Sequence, residues 1–130
     1  MISLDEFLTM PDVSDITEEV DVSKRLGKFK IKAMSAEDFA DYQKKCTTGR
    51  VTKKGMNFDS TKFNLLIVAG QTIEPDFNNA EFLKKAGCTS AIDFIQRKLK
   101  VGEITTLSQK IQAISGFDED INDNVDEAKN

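Results

Sequence analysis

The stretch PDFNNAEF, residues 75–82, sets Asp76, Asn78, Asn79 and Glu81 within eight positions, with Phe77 and Phe82 among them. Oxygen-bearing side chains at that density raise two chemical readings, a calcium loop and a carboxylate pair. An EF-hand loop counted from Asp76 needs an oxygen ligand at its fifth position, glycine at its sixth and glutamate at its twelfth. Ala80, Glu81 and Gly87 stand there instead, so the calcium reading fails at all three. Asp76 with Glu81 has the residue types of a glycosidase acid–base pair. In a chain with 22 acids, however, such pairs arise by chance. A helix start accounts for the whole stretch. Asn78 caps, Glu81 returns the bond, Phe77 staples to Phe82, and Pro75 holds Glu74 extended. Lys84 and Lys85 then suit the negative end of the helix dipole, and Gly87 ends the helix.

The remaining inventory of reactive groups is sparse. The chain has no histidine, and its two cysteines, Cys46 and Cys88, lie in no CxxC. Cys/His zinc sites, Ser-His-Asp triads and Cys-His pairs are therefore excluded. A glycine-rich phosphate loop, a GxSxG elbow and three acids at ligand spacing are absent from the sequence as well. The expectation is a binding protein, not an enzyme, with no cofactor, no metal and no catalytic residue. The thiols read as buried or half-buried and free.

With 130 residues, the chain is the size of one domain and long enough to bury a core without disulfides or metals. It is 39% hydrophobic and 31% charged, and no apolar run approaches the roughly 20 residues of a membrane span. The opening MISLDEFL lacks the basic flank of a secretory signal, which points to the cytoplasm. Charge is unevenly placed: residues 1–22 carry −7 and residues 118–130 carry −5, which leaves +8 in the middle of a net −4. A basic middle is compatible with a nucleic-acid-binding regulator using Lys24–Lys54. Acids are interleaved through that segment and an aromatic stacking set is missing, so mutual neutralisation of ends and middle is the simpler reading.

The elements that must position any site are announced by repeated helix-start grammar. In SLDEF, Ser3 caps, Glu6 answers, and Ile2 and Phe7 staple; in MSAEDF the same roles fall to Ser35, Asp38, Met34 and Phe39; in FDSTKF, Asp59 caps between Phe58 and Phe63. Between the first two starts, Val20, Val22, Phe29 and Ile31 alternate with charged neighbours around Gly27. That pattern predicts a β-hairpin over about 18–33. Residues 47–57 read as a Gly-, Thr- and Lys-rich loop. Residues 61–73 are apolar nearly all round, as in a central buried helix or one that also offers a face to another copy of the chain. Helices follow at about 79–86, 90–100 and 103–115, set off by Gly87, Gly102 and Gly116. The expected fold is mainly α: a single small helical domain over 1–117 with an N-terminal β-hairpin, followed by a disordered acidic C-terminal tail over 118–130.

Taken in order, SLDEFL, the basic hairpin with SKR and the Phe29–Ile31 pair, MSAEDF, FDSTKFNLLIVAGQTIEPDFNNAEFL and KLKVGEITTLSQKIQAISGFD resemble the XkdN-like family of phage tail assembly chaperones. The resemblance covers about residues 2–118 and rests on the order and spacing of these segments. Val101 departs from it, where a proline commonly precedes the Gly-Glu pair, and so does the 46–57 loop. The resemblance implies a phage or prophage protein of virion morphogenesis. It would bind the tape measure protein, keep it soluble in the host cell cytoplasm while tail tube subunits assemble, and be absent from the mature virion. Tail tube subunits and a second copy of the chain are further expected partners. The alternative is a structural tail-associated protein retained in the virion. A helical client needs an apolar groove read by anchors at helical spacing. The helices over 79–117 supply Phe82, Phe94, Ile104, Leu107, Ile111 and Phe117 as candidate partner-binding residues, each of which could equally belong to the domain's own core.

Overall fold

The computed structural model describes residues 1–52 and 55–117. In chain order the elements are α1 (Leu4–Thr9), a 3-10 turn (Val13–Asp15), β1 (Thr17–Ser23), β2 (Gly27–Lys32), α2 (Ala36–Cys46), β3 (Thr47–Thr52), β4 (Gly55–Phe58), α3 (Ser60–Gln71), β5 (Thr72–Glu74), α4 (Ala80–Ala86), α5 (Ala91–Lys98) and α6 (Val101–Ile114). The fold is mainly helical, with the expected N-terminal hairpin. The tail expected to be disordered lies outside the described residues.

The helix starts follow the capping grammar. Ser3 Oγ accepts from the Glu6 amide at 3.2 Å, and Asp59 Oδ1 accepts from the Lys62 amide at 3.0 Å. Ser35 and Asp38 exchange both bonds of a capping box. The hairpin pairs Val20 with Phe29 on the core side, and opposes Glu19 to Lys30 and Asp21 to Lys28 on the other. Opposite charges facing each other across the strands stabilise the pairing. Gly27 at φ +74° makes the turn, in a region that disfavours residues with a Cβ.

Two expectations change here. The hairpin is not alone, because β5 pairs antiparallel to β2, giving a three-stranded sheet in the order β1-β2-β5. The third strand helps resolve the marginal stability of a two-stranded unit. Residues 47–57 are not a plain loop either: β3 and β4 form a second hairpin, with Thr47 opposite Phe58 and Thr48 opposite Asn57. A Thr- and Val-containing run has strand propensity, and the glycines that signalled a loop are accommodated within that hairpin.

Helix α3 is the hub. Phe63, Leu65, Ile67, Val68, Ala69 and Gln71 are all buried, and α3 packs against α2, α5 and α6. The sheet adds Val20, Val22, Phe29 and Ile31 to the same core, and α6 adds Leu107 and Ile111. Gly70 is required by packing, since a Cβ there would overlap the Tyr42 hydroxyl, whose ring carbon Cζ lies 3.0 Å away. That close approach lets Tyr42 bond to Gln71 at 2.7 Å. Burial, aided by the carboxylates of Asp38 and Asp41, pushes the Tyr42 phenol up to about 12. Cys46 is buried and Cys88 half-buried, and both thiols are free. Burial pushes the Cys46 thiol up.

Candidate functional site

PDFNNAEF turns out to border an apolar groove, with Pro75, Asp76, Phe77, Asn79 and Phe82 in its lining. Asp76 Oδ1 accepts from the Asn78 amide at 3.0 Å, a local turn. Asn78 is not the helix cap. Its Nδ2 donates to the Ala69 carbonyl at 2.8 Å, which pins the loop to the last turn of α3. Asn79 caps α4 instead, accepting from the Phe82 amide at 3.0 Å. This one-residue shift moves Glu81 to the second helical position. Phe77 goes to the core at 3% exposure, while Phe82 stays 43% exposed, so the expected staple gives way to a longer aromatic run. Gly87 ends α4 in the left-handed region at φ 69°, with the Cys88 amide reaching back to the Leu83 carbonyl at 3.0 Å.

The aromatic run passes from Phe29 to Phe77 at a centroid separation of 5.9 Å, from Phe77 to Phe94 at 6.0 Å, and from Phe94 to Phe82 at 4.9 Å, edge to face. Such tilted pairs are the favourable geometry for ring quadrupoles. With Leu26, Leu99 and Pro75 these rings line an open cavity of about 540 Å³, rimmed by Arg25, Asp76, Asn79 and Lys98. A concave apolar surface with a few polar groups at its edge is built for binding.

One wall of the groove is locked by Glu103, the third residue of α6, which is 5% exposed. Arg25 donates to both carboxylate oxygens, at 2.9 and 2.6 Å, and Ser23 Oγ and the Lys100 amide add bonds of 2.6 and 2.7 Å. Arg25 also donates to the Lys98 carbonyl at 2.7 Å. The turn of the β1–β2 hairpin is thereby tied to the α5–α6 junction. The bonds from Arg25, with those from Ser23 and Lys100, outweigh burial and hold the Glu103 carboxyl down at about 2, against a usual 4.5. A carboxylate whose folded pKa is lowered contributes stability above its unfolded pKa and loses it as pH falls through the folded one. We therefore expect the thermal midpoint to drop between pH 4.5 and pH 2, and Glu103→Gln to lower it at pH 7 while flattening that acid slope. Differential scanning calorimetry of both proteins from pH 2 to 7 checks this; parallel pH profiles would remove Glu103 from the account.

The six candidate residues are distributed unevenly. Phe82 and Phe94 face the groove. Ile104 lines a neighbouring depression of about 290 Å³ with Leu65, Leu99 and Val101. Leu107 and Ile111 are fully enclosed in the core. Phe117 packs on Phe39 at 5.0 Å, in a separate aromatic run that continues through Phe63 to Phe58. The groove also uses Leu26, Phe29, Phe77 and Leu99, which the helical spacing over 79–117 did not single out. Among the described residues, no group of three or more Cys, Asp and Glu stands together to hold a metal ion, and no helix is long and apolar enough to cross a membrane.

The site is thus an aromatic groove on a small helical scaffold, with Asp76 held in a local turn and Glu103 clasped by Arg25 beside it. The chain belongs to the XkdN-like family of phage tail assembly chaperones: the family's model, described as a phage XkdN-like tail assembly chaperone protein, matches residues 4–129. It is similar to the phage-like element PBSX protein XkdN of Bacillus subtilis (strain 168), at 29% identity over 85% of this chain and 78% of that protein. It is also similar to YqbN of the same organism, at 30% identity over 93% of this chain and 90% of the relative. A crystal structure of the protein YqbN superposes with a TM-score of 0.65 at 25% identity, covering 89% of this chain and 98% of that one.

Proposed function

We propose that this protein binds an amphipathic helical segment of the tape measure protein in the Phe29–Phe77–Phe94–Phe82 groove and keeps that protein soluble while the tail tube assembles. The observation that carries the reading is the groove itself, about 540 Å³ with an aromatic floor. A helix laid on it would insert large apolar side chains at i, i+3 and i+4 spacing. The work is stoichiometric and needs no catalysis, and it is done in the host cytoplasm with the chaperone left out of the finished virion. Phe82 and Phe94 are the anchors within the groove, with Ile104 and Phe117 on flanking surfaces. Leu107 and Ile111 act from beneath by holding α6 in place.

The test is co-expression with the tape measure protein. The wild-type chain should raise its soluble yield and co-purify with it. Phe82→Asp, at a position already 43% exposed, should abolish both while leaving the chaperone folded. A charge in a desolvated anchor pocket removes hot-spot energy of about 2 kcal/mol or more. Absence of co-purification with the wild type would sink the proposal, and mass spectrometry of purified particles checks the exclusion from virions.

A further inference from the structure

We propose that Glu103 is a positioning residue for the groove: it holds Leu26 of the hairpin turn and Leu99 of the α5–α6 junction in place, and so sets how tightly the groove grips a client. The binding consequence rests on the client reading above; the positioning itself needs no client.

Glu103 is not part of the groove lining. The lining takes Arg25, Leu26 and Phe29 from the hairpin side and Phe94, Lys98 and Leu99 from the helical side. Glu103 borders a second open depression instead, with Ser23, Lys24, Lys100 and Gly102, and Arg25 is the residue common to both. At 5% exposure the carboxylate is enclosed. Any influence it has on the groove must therefore pass through the groups it binds.

Those groups bracket both leucines. On the hairpin side, Glu103 Oε2 accepts from Ser23 Oγ at 2.6 Å, and the same hydroxyl oxygen accepts from the Leu26 amide at 3.2 Å. Arg25, the residue before Leu26, donates to both carboxylate oxygens. On the helical side, Leu99 sits between two anchored peptide groups. The Lys98 carbonyl accepts from Arg25 at 2.7 Å, and the Lys100 amide donates to Glu103 Oε1 at 2.7 Å.

Capping of α6 alone would need only the Lys100 bond. The bonds from Ser23 and Arg25 lie outside that role, and both come from the hairpin. Among the described residues, the hydrogen bonds joining the hairpin to the α5–α6 junction all end on Glu103 or start from Arg25. The aromatic floor also spans the two sides, from Phe29 through Phe77 to Phe94. Apolar contact is non-directional, however, whereas a bidentate guanidinium–carboxylate pair fixes orientation. Helix α5 itself packs on α3 and α4, and the hairpin on α6. Losing the carboxylate should thus free both leucines while the floor stays. Side chains that must be ordered again on binding cost affinity.

Glu103→Gln in the full chain provides the test, with Ser23→Ala as a milder second variant. Phe63→Leu is the control, since Phe63 is buried in the other aromatic run. Thermal melts confirm folding, and methyl NMR of the protein without client reads the leucines. In Glu103→Gln the Leu26 and Leu99 methyl signals should shift and broaden. Co-expressed tape measure protein should co-purify in roughly 10-fold lower yield, because two side chains have to be ordered on binding. Ser23→Ala should move the Leu26 methyls more than those of Leu99. Phe63→Leu should lower the melting midpoint yet leave the leucine signals and the client yield near those of the wild type. Unmoved leucine methyls in Glu103→Gln, shifted ones with full client yield, or an equal loss of client in Phe63→Leu would each overturn the proposal. If Glu103→Gln does not fold, unmoved Leu26 methyls in Ser23→Ala overturn it instead. A wild-type chain that captures no tape measure protein removes the client reading, and the methyl signals still decide whether Glu103 holds the leucines.

Discussion

Leu107→Ala is expected to lower the unfolding free energy by about 2–5 kcal/mol, the range for deleting a buried leucine and leaving a cavity behind. Leu107 is completely enclosed on α6, a helix packed against α3 and the sheet, with Ile111 one turn further on in the same state. The close packing around it leaves little freedom to collapse into the space. Urea denaturation measures the loss, and Phe82→Ala in the groove is the control: at 43% exposure its cost should stay below about 1 kcal/mol. The contrast matters for function. Both residues are apolar, at helical spacing, and candidates for the same partner surface on sequence grounds. If Leu107→Ala proved almost neutral for stability, the side chain would belong to a partner interface and the core assignment of α6 would fall.

Why the sequence separated these two residues so poorly is a matter of distance along the chain. Helix starts were legible because capping is local: Ser3, Ser35 and Asp59 each act on an amide three residues away. The β1–β2 register was legible because alternation of Val20, Val22, Phe29 and Ile31 determines which face is buried. At Asn78 and Asn79 local reasoning met two competent caps side by side. The bond from Asn78 to Ala69, nine residues back, decided between them. Strand β5 left no signal of its own, since Thr72, Ile73 and Glu74 continue the apolar run of α3 without a glycine or proline between. The groove was the least legible feature. Two of its rings, Phe82 and Phe94, come from the helices where anchors were sought, but Leu26 and Phe29 come from the hairpin turn and β2, and Phe77 from a loop. Periodicity within one element cannot report a surface assembled from five.

Gln71→Leu should destabilise the fold by about 2–4 kcal/mol, although it places an apolar side chain of similar size in a buried position. Gln71 is 2% exposed and stands at the junction where α3 stops and β5 begins. Its Nε2 donates to the Ala33 carbonyl at 3.0 Å, and its Oε1 accepts from the Tyr42 hydroxyl at 2.7 Å. One side chain thus joins three elements: the end of β2, the middle of α2 and the last turn of α3. Leucine would leave the Tyr42 hydroxyl and the Ala33 carbonyl without these partners, at about 1–3 kcal/mol for each group left buried and unpaired. The same junction leads through β5 and Pro75 into the groove, so its loosening should reach the floor beneath Phe77. A double-mutant cycle isolates the cause. Tyr42→Phe removes the orphaned hydroxyl, so Gln71→Leu combined with Tyr42→Phe should cost at least ~0.5 kcal/mol less than the sum of the single changes, a coupling expected only between groups in contact. Strict additivity would mean that the Tyr42–Gln71 bond contributes nothing. The end of α3 would then be held by the bonds from Gln71 to Ala33 and from Asn78 to Ala69, with the packing of Val68 and Ala69.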